Sequence, residues 1–346
     1  MARGPIRGRA MPISFGGRFG RATQIIPVGC AAMQSETDLL VSKTLPTTER
    51  TAMSCIATLF RCPFFQRVAD DTHVAPILEL ADHFSVFRPP SQRARLGDWF
   101  TFFYRLLFDR YRCEYVYKNT IATRIFLSRH SLQQSLMTDE IWSARSRGDV
   151  AILNGTSTIY EIKSHYDSFE RLDGQLADYK KVFDRIYIVT TEKKAATAIQ
   201  RVEPAVGVIA LRNDGALTTL RESASHKHLT DPAAIFDCMR QSEYCRAIAL
   251  AFGYIPQVPN SQLYRQAKSM FCSLSPAIAH DLMVEQIKRR GKKRPFVELI
   301  ESAPTCLKHV CLSFSKSTTM ATKIAARLKE PLVNEKIFPL STREAQ

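Results

Sequence analysis

Between residues 149 and 220 the chain alternates short β-branched, apolar runs with segments of helix length. Residues 149–153 and 157–163 read as two strands around Asn154-Gly155, a hairpin signal. A helix is expected over 169–184, a buried strand over 186–189, a helix over 192–201 and a buried strand over 206–211. Asn213-Asp214-Gly215 then turns into an edge strand at 216–220. This order demands a mixed sheet covered by helices, hence an α/β fold.

The flanks read differently. Residues 1–72 have weak periodicity and many Arg, Gly, Pro and Thr, so they form a largely irregular or disordered basic segment, with one possible helix over 49–60. Residues 73–135 are helical and include an aromatic helix over 96–111, apolar nearly all round and therefore buried, then a helix over 115–126. The core spans 136–228. A helical region fills 229–346, beginning where Asp231 can cap and Pro232 suits a first turn. Its helices are expected over 232–252, 261–273, 277–290 and 319–329.

A net charge of +15 favours an anionic partner, nucleic acid first. No run approaches the roughly 20 apolar residues of a membrane span, so no membrane partner and a cytoplasmic location are expected. The nine cysteines contain no Cys-x-x-Cys pair, which argues against a zinc site or an iron–sulfur cluster and fits scattered thiols in a reducing compartment.

One constellation carries chemistry. Asp149, Glu161 and Lys163 lie on the predicted strand pair, and Gln175 and Tyr179 on the helix after it. Cleaving a phosphodiester requires a cation and an activated water, and Mg²⁺ is commonly held by one or two carboxylates plus phosphate oxygens. Lys163, two residues after Glu161, shares its face. An ammonium there can position the water, stabilise the transition state or take part in proton transfer. Register decides whether Asp149 joins them. A two-residue turn pairs Asp149 with Tyr160 and points it away, whereas a three-residue loop at 154–156 pairs it with Glu161. The odd loop is predicted, against the simplest reading of Asn-Gly. Gln175 and Tyr179 share a helical face with Leu172, Leu176 and Phe183, and a glutamine in an apolar face needs a partner.

Further candidates are weaker. Glu140 can approach the site as a third carboxylate from a preceding helix or loop. Arg171 can bind phosphate or decorate the helix surface. His165 reads as a solvated loop residue and Asp167 as a cap for the next helix. Lys288, Arg289, Arg290, Lys292, Lys293 and Arg294 form the densest basic run, suited to nucleic-acid backbone contacts or to a solvated loop.

Arg147-Gly148-Asp149, Tyr160-Glu161-Ile162-Lys163 and Gln175-Leu176-Ala177-Asp178-Tyr179 resemble the ordered motifs of the PD-(D/E)XK nuclease superfamily, in its RecB-like branch. More closely, the chain is similar to an uncharacterised bacterial family of that superfamily, through Glu114 to Asn119, Arg129 to Leu132, Asn154 to Thr158, Tyr160 to Ser164 and Arg171-Leu172. The similarity extends from about residue 80 to about residue 330. It implies a restriction-endonuclease-like mixed sheet flanked by helices, with N- and C-terminal helical extensions. It also implies that Asp149 and Glu161 ligate Mg²⁺ or Mn²⁺, that Lys163 is catalytic, and that Gln175 orients water or phosphate with Tyr179 in support. Glu140 resembles the acidic residue an earlier helix often donates. The superfamily's proline before the aspartate is replaced by Gly148. The expected activity is metal-dependent hydrolysis of DNA, ahead of RNA, in a mobile-element or phage-defence setting. The rival is a non-catalytic nucleic-acid-binding protein that keeps the nuclease fold.

Overall fold

A computed structural model describes residues 49–69, 74–91, 93–291, 294–314 and 317–332. Most of the expected basic N-terminal segment lies outside these residues. Six strands form one sheet in sequential order: β1 (Leu136–Ser143), β2 (Ser146–Leu153), β3 (Ser157–Lys163), β4 (Arg185–Thr191), β5 (Gly207–Leu211) and β6 (Leu217–Arg221). β1, β2 and β3 pair antiparallel, β3, β4 and β5 pair parallel, and β6 closes the far edge antiparallel. The chain is therefore an α/β protein with a mixed sheet, as its pattern required.

Helices α1 (Glu49–Thr58), α2 (Cys62–Arg67), α3 (Ala75–His83), α4 (Leu96–Arg110) and α5 (Glu114–Ile121) precede the sheet. Helices α6 (Leu172–Tyr179) and α7 (Glu192–Arg201) make the parallel crossovers. Then follow α8 (Pro232–Asp237), α9 (Gln241–Phe252), α10 (Asn260–Phe271), α11 (Pro276–Lys288), α12 (Arg294–Ser302), α13 (Lys308–Ser313) and α14 (Thr318–Arg327).

Period-two alternation divides the sheet between two apolar layers. Val150, Ile152, Tyr160, Ile162, Tyr187 and Val189 pack into a layer built from α1–α5 and α12–α14. Ala151, Leu153, Ile159, Ile186 and Ile188 pack into the other, with α6 and α8–α11. The terminal helices are thus not appendages. Phe65 of α2 meets Phe314 edge-on at 6.3 Å, and Phe314 in turn lies 6.0 Å from Phe296 of α12.

Several expectations change, among them the single helix over 232–252, which is two, α8 and α9. Within the segment assigned to 1–72, the possible helix over 49–60 is present as α1, and the residues after it are not irregular: α2 follows, and Ile56, Phe60 and Phe65 are core residues. β1 escaped the sequence reading because Asp139 and Glu140 interrupt its apolar alternation, a pattern permitted on an edge strand. The helix expected over 169–184 holds only Leu172–Tyr179, because the chain then turns sharply to enter β4. Helices α12 and α13 are absent from the expected set, although Phe296, Leu299 and Ile300 give α12 a periodic apolar face; both are short, and α12 starts within the basic run at Arg294.

Candidate functional site

The hairpin between β2 and β3 takes the odd register. Leu153 pairs with Ser157, Ala151 with Ile159 and Val150 with Tyr160. The loop is Asn154–Thr156, with Gly155 left-handed at its centre (φ 71°). Tertiary contacts hold it: Thr156 Oγ1 donates to Asp184 Oδ2 at 2.5 Å, and Ser157 Oγ lies 2.7 Å from His280 Nε2. The ladder ends at Val150 and Tyr160; just beyond it Asp149 Oδ2 accepts from the Ile162 amide at 2.7 Å, which brings the Asp149 carboxylate to the strand position after Glu161.

Glu161 and Lys163 share the sheet face of Ile159, which α6 covers, while alternation along β2 breaks at Asp149: Val150 faces the other layer, yet a Cβ on Gly148 would meet Ile159. Lys163 Nζ lies 2.8 Å from Glu161 Oε1 and 2.8 Å from Gln175 Oε1. Gln175 Nε2 donates to Glu161 Oε1 at 2.6 Å, and the Tyr179 hydroxyl donates to Glu161 Oε2 at 2.6 Å. The glutamine anomaly is resolved: its amide bridges a lysine and a carboxylate. Glu161, Lys163 and Tyr179 are all buried.

Burial lifts the Asp149 carboxyl to about 8, and the negative charges of Glu161 and Glu114 add to it. Burial also holds the Tyr179 phenol far above its ordinary value, with Glu161 beside it reinforcing the effect. Tyr179 therefore remains a donor. Burial alone would lower Lys118, but Glu114, 2.6 Å away, outweighs it, and Asp139 and Asp149 assist.

Gly148 occupies the position before Asp149 for a packing reason. A Cβ there would stand 2.4 Å from Ile159 Cδ1 and 3.5 Å from the Tyr179 ring. A proline would place still more atoms in that space.

Glu140 lies on strand β1, not on a helix or loop. It sits between the pairs Asp139–Val150 and Ile141–Gly148, the register position across from Asp149. Its neighbour Asp139 belongs to another cluster, bonded to His309 Nε2 at 2.9 Å and to Ser313 Oγ.

Asp149, Glu161, Lys163, Gln175 and Arg171 line one cavity of about 790 Å³. Arg171 is exposed at the start of α6. The cavity also takes in Glu114 from α5, which sequence reasoning passed over. Its only local signal was the i,i+4 pair with Lys118. Asp167 caps no helix; its carboxylate accepts from Ser164 N at 2.8 Å and Ser164 Oγ at 2.6 Å. Lys194 Nζ reaches the carbonyls of Ser164, His165 and Asp167, which fixes the chain just after Lys163. His165 is exposed, as expected for a loop.

The basic run lies elsewhere. Lys288, Arg289, Arg290 and Arg294 do not line this cavity, and Lys292 and Lys293 fall outside the described residues. Arg290 forms a bidentate pair with buried Glu243, both bonds 2.6 Å. Arg289 pairs with Glu285 and Arg294 with Glu298, each at i,i+4 spacing.

Two carboxylates lining one cavity, a lysine bonded to one of them and an amide bridging that lysine and carboxylate could hold a cation and orient water. Among the described residues, no three His, Cys, Asp or Glu side chains gather into a ready metal cage. Asp149 and Glu161 are the carboxylates of this cavity that could hold Mg²⁺, an ion that keeps several waters and needs few protein ligands. Burial is the main cause of the raised Asp149 carboxyl, with the charges of Glu161 and Glu114 adding to it, and a cation would offset that added repulsion.

These features define an α/β protein with a buried carboxylate–lysine site between a mixed sheet and its crossover helix. The chain belongs to the bacteriophage P4 protein cII family, whose model matches residues 109–309. That interval runs from the end of α4 into α13 and contains the whole sheet and every residue of the site. Protein cII of Enterobacteria phage P4 is 41% identical over 73 residues, 21% of this chain. The match spans only 27% of that relative's length. A solved protein of unknown function from Silicibacter pomeroyi aligns at 20% identity with a TM-score of 0.25, over 35% of this chain and 82% of its own. No helix among the described residues is long and apolar enough to cross a membrane.

Proposed function

We propose that this protein is a metal-dependent nuclease of the PD-(D/E)XK type, with a restriction-endonuclease-like core, that hydrolyses phosphodiester bonds of DNA. The observation that carries the reading is the convergence of Lys163 Nζ on Glu161 and Gln175, both at 2.8 Å, beside Asp149. Asp149 and Glu161 would hold Mg²⁺ or Mn²⁺, with Glu114 and Glu140 as further acidic candidates. Such an ion, when bound, neutralises charge on the phosphate and acidifies water.

The chain's own groups set the geometry. Gln175 and Tyr179 hold Glu161 in one rotamer through its two oxygens. The Ile162 amide does the same for Asp149. Lys163 presents an ammonium to the attacked phosphate or to the incoming water, and Gln175 keeps it in place. Arg171, exposed on the same cavity, meets the substrate backbone. The net charge of +15 favours this polyanion. Membership in a family typified by a phage protein suits a role in a mobile element or in phage defence.

A non-catalytic nucleic-acid-binding role is the second reading. It is favoured by Glu161, both of whose oxygens already accept bonds from the protein. The deciding experiment incubates purified protein with supercoiled plasmid, linear DNA and RNA, in Mg²⁺ or EDTA, beside Lys163→Ala and Asp149→Asn. Cleavage of DNA in Mg²⁺ that both variants lose is expected. Equal cleavage by the variants, or none by the wild type on any substrate, would sink the nuclease reading.

A further inference from the structure

The lining of the same cavity includes an aromatic residue that the site chemistry does not use. Trp142 is 59% exposed, whereas Trp99 is buried. An exposed indole on a well-fixed hairpin that lines a polar cavity offers a ligand a large aromatic face.

The hairpin is well fixed. Ser143 pairs with Ser146 around the two-residue tip Ala144-Arg145, and Ala144 is left-handed (φ 52°). Asp178, at the end of α6, clamps the tip: its carbonyl accepts from Ser143 Oγ at 2.7 Å, and its Oδ2 accepts from Ser146 Oγ at 2.9 Å and from the Arg145 amide at 3.2 Å. Cys238 Sγ donates to the Trp142 carbonyl at 3.0 Å. The hairpin tip is thus tied to α6 and the Trp142 carbonyl to the turn after α8, while the indole is exposed with the Arg147 guanidinium over it.

The surroundings select the ligand. The Arg147 guanidinium lies 5.8 Å from the Trp142 ring centroid. Trp142, Arg145, Arg147 and Arg171 line the cavity that holds Asp149, Glu161 and Lys163. A flat aromatic face beside several guanidinium groups fits a nucleobase with its phosphates. Bases within a duplex have both faces covered by neighbours, so only an unpaired base can stack there.

We infer that Trp142 is a base-stacking residue that receives an unpaired nucleobase of single-stranded DNA, next to the phosphate presented to the candidate site. This rests on the nuclease reading for the identity of that phosphate, but the stacking itself requires no catalysis. Single-stranded DNA, or the unpaired part of a partly duplex DNA, is therefore the preferred substrate.

The test uses the full chain in EDTA, where binding is measured without cleavage. A 20-mer oligothymidylate is titrated while tryptophan emission is followed, in parallel with anisotropy of the labelled oligomer. A blunt duplex of equal length is the control. Quenching is expected in the wild type, because Trp142 is the exposed one of the chain's two tryptophans. Trp142→Ala should weaken oligothymidylate binding by about fivefold or more and duplex binding by less than about twofold. Trp142→Phe should recover most of the affinity. Unchanged affinity in Trp142→Ala, binding without quenching, equal losses on both ligands, or no oligothymidylate binding at low salt would overturn the inference. A protein that cleaves DNA but binds oligothymidylate equally well as Trp142→Ala would lose the stacking role and keep the nuclease reading. One that quenches but never cleaves would do the reverse.

Discussion

The Tyr179 hydroxyl stands 2.6 Å from Glu161 Oε2, so the crossover helix holds the central carboxylate of the site directly. Both side chains are buried. Removing the hydroxyl leaves a charged acceptor short of one partner. Tyr179→Phe should cost about 1.5–3 kcal/mol in urea unfolding, the range for a hydrogen bond to a charged group. It should also reduce any Mg²⁺-dependent cleavage, while the packing of the ring is retained.

Asp149 gives a pH dependence with a definite sign. Its folded carboxyl is raised to about 8 by burial and by Glu161 and Glu114, above an ordinary value of 3.8. Between those values the folded state binds the proton and the unfolded state releases it. Stability from this group is therefore present below about pH 4 and is lost as pH rises towards 8. Asp149→Asn should accordingly stabilise the metal-free protein, little at pH 4 and by on the order of 2–4 kcal/mol at pH 8. Thermal melts in EDTA across that range check it. A gain that shrank with rising pH would contradict the cause assigned to the shift.

Gly148 is required by the packing between β2 and β3. With Ile159 Cδ1 only 2.4 Å from the position of a Cβ, Gly148→Ala should cost about 1–3 kcal/mol. Because the contact is with the end of one side chain, adding Ile159→Val should recover part of that loss. Non-additive unfolding energies in the double mutant measure it.

The basic run separates into structural and surface residues. Arg290→Ala leaves the buried Glu243 carboxylate unpaired and should destabilise the fold by about 3–5 kcal/mol. Arg289→Ala, at an exposed i,i+4 pair, should change stability by less than about 0.5 kcal/mol. Chemical denaturation of the two variants distinguishes them.

Much of the architecture is legible in local chemistry. The β-branched run over β3, the helix α7 and the buried strands β4 and β5 stand where residue periodicity placed them. So does the shared face of Glu161 and Lys163, since a strand puts alternate residues on one side. Strand β1 was hidden by Asp139 and Glu140, whose charge is compatible with an edge but gives no alternating signal. Trp142 and Glu114 gave no local hint of a shared cavity, because they come from separate elements that only the fold brings to Asp149.

The sequence by itself determined which residues are able to form the site: two carboxylates, a lysine, and a glutamine and tyrosine one helical turn apart. Whether they meet was decided by tertiary structure. Asn154-Gly155 locally favours a two-residue turn that would send Asp149 to the opposite face. Asp184 and His280, 28 and 123 residues from their partners Thr156 and Ser157, hold the loop in its three-residue form. A one-residue slip inverts every side chain of a strand, so these distant contacts, and not the turn itself, set Asp149 beside Glu161.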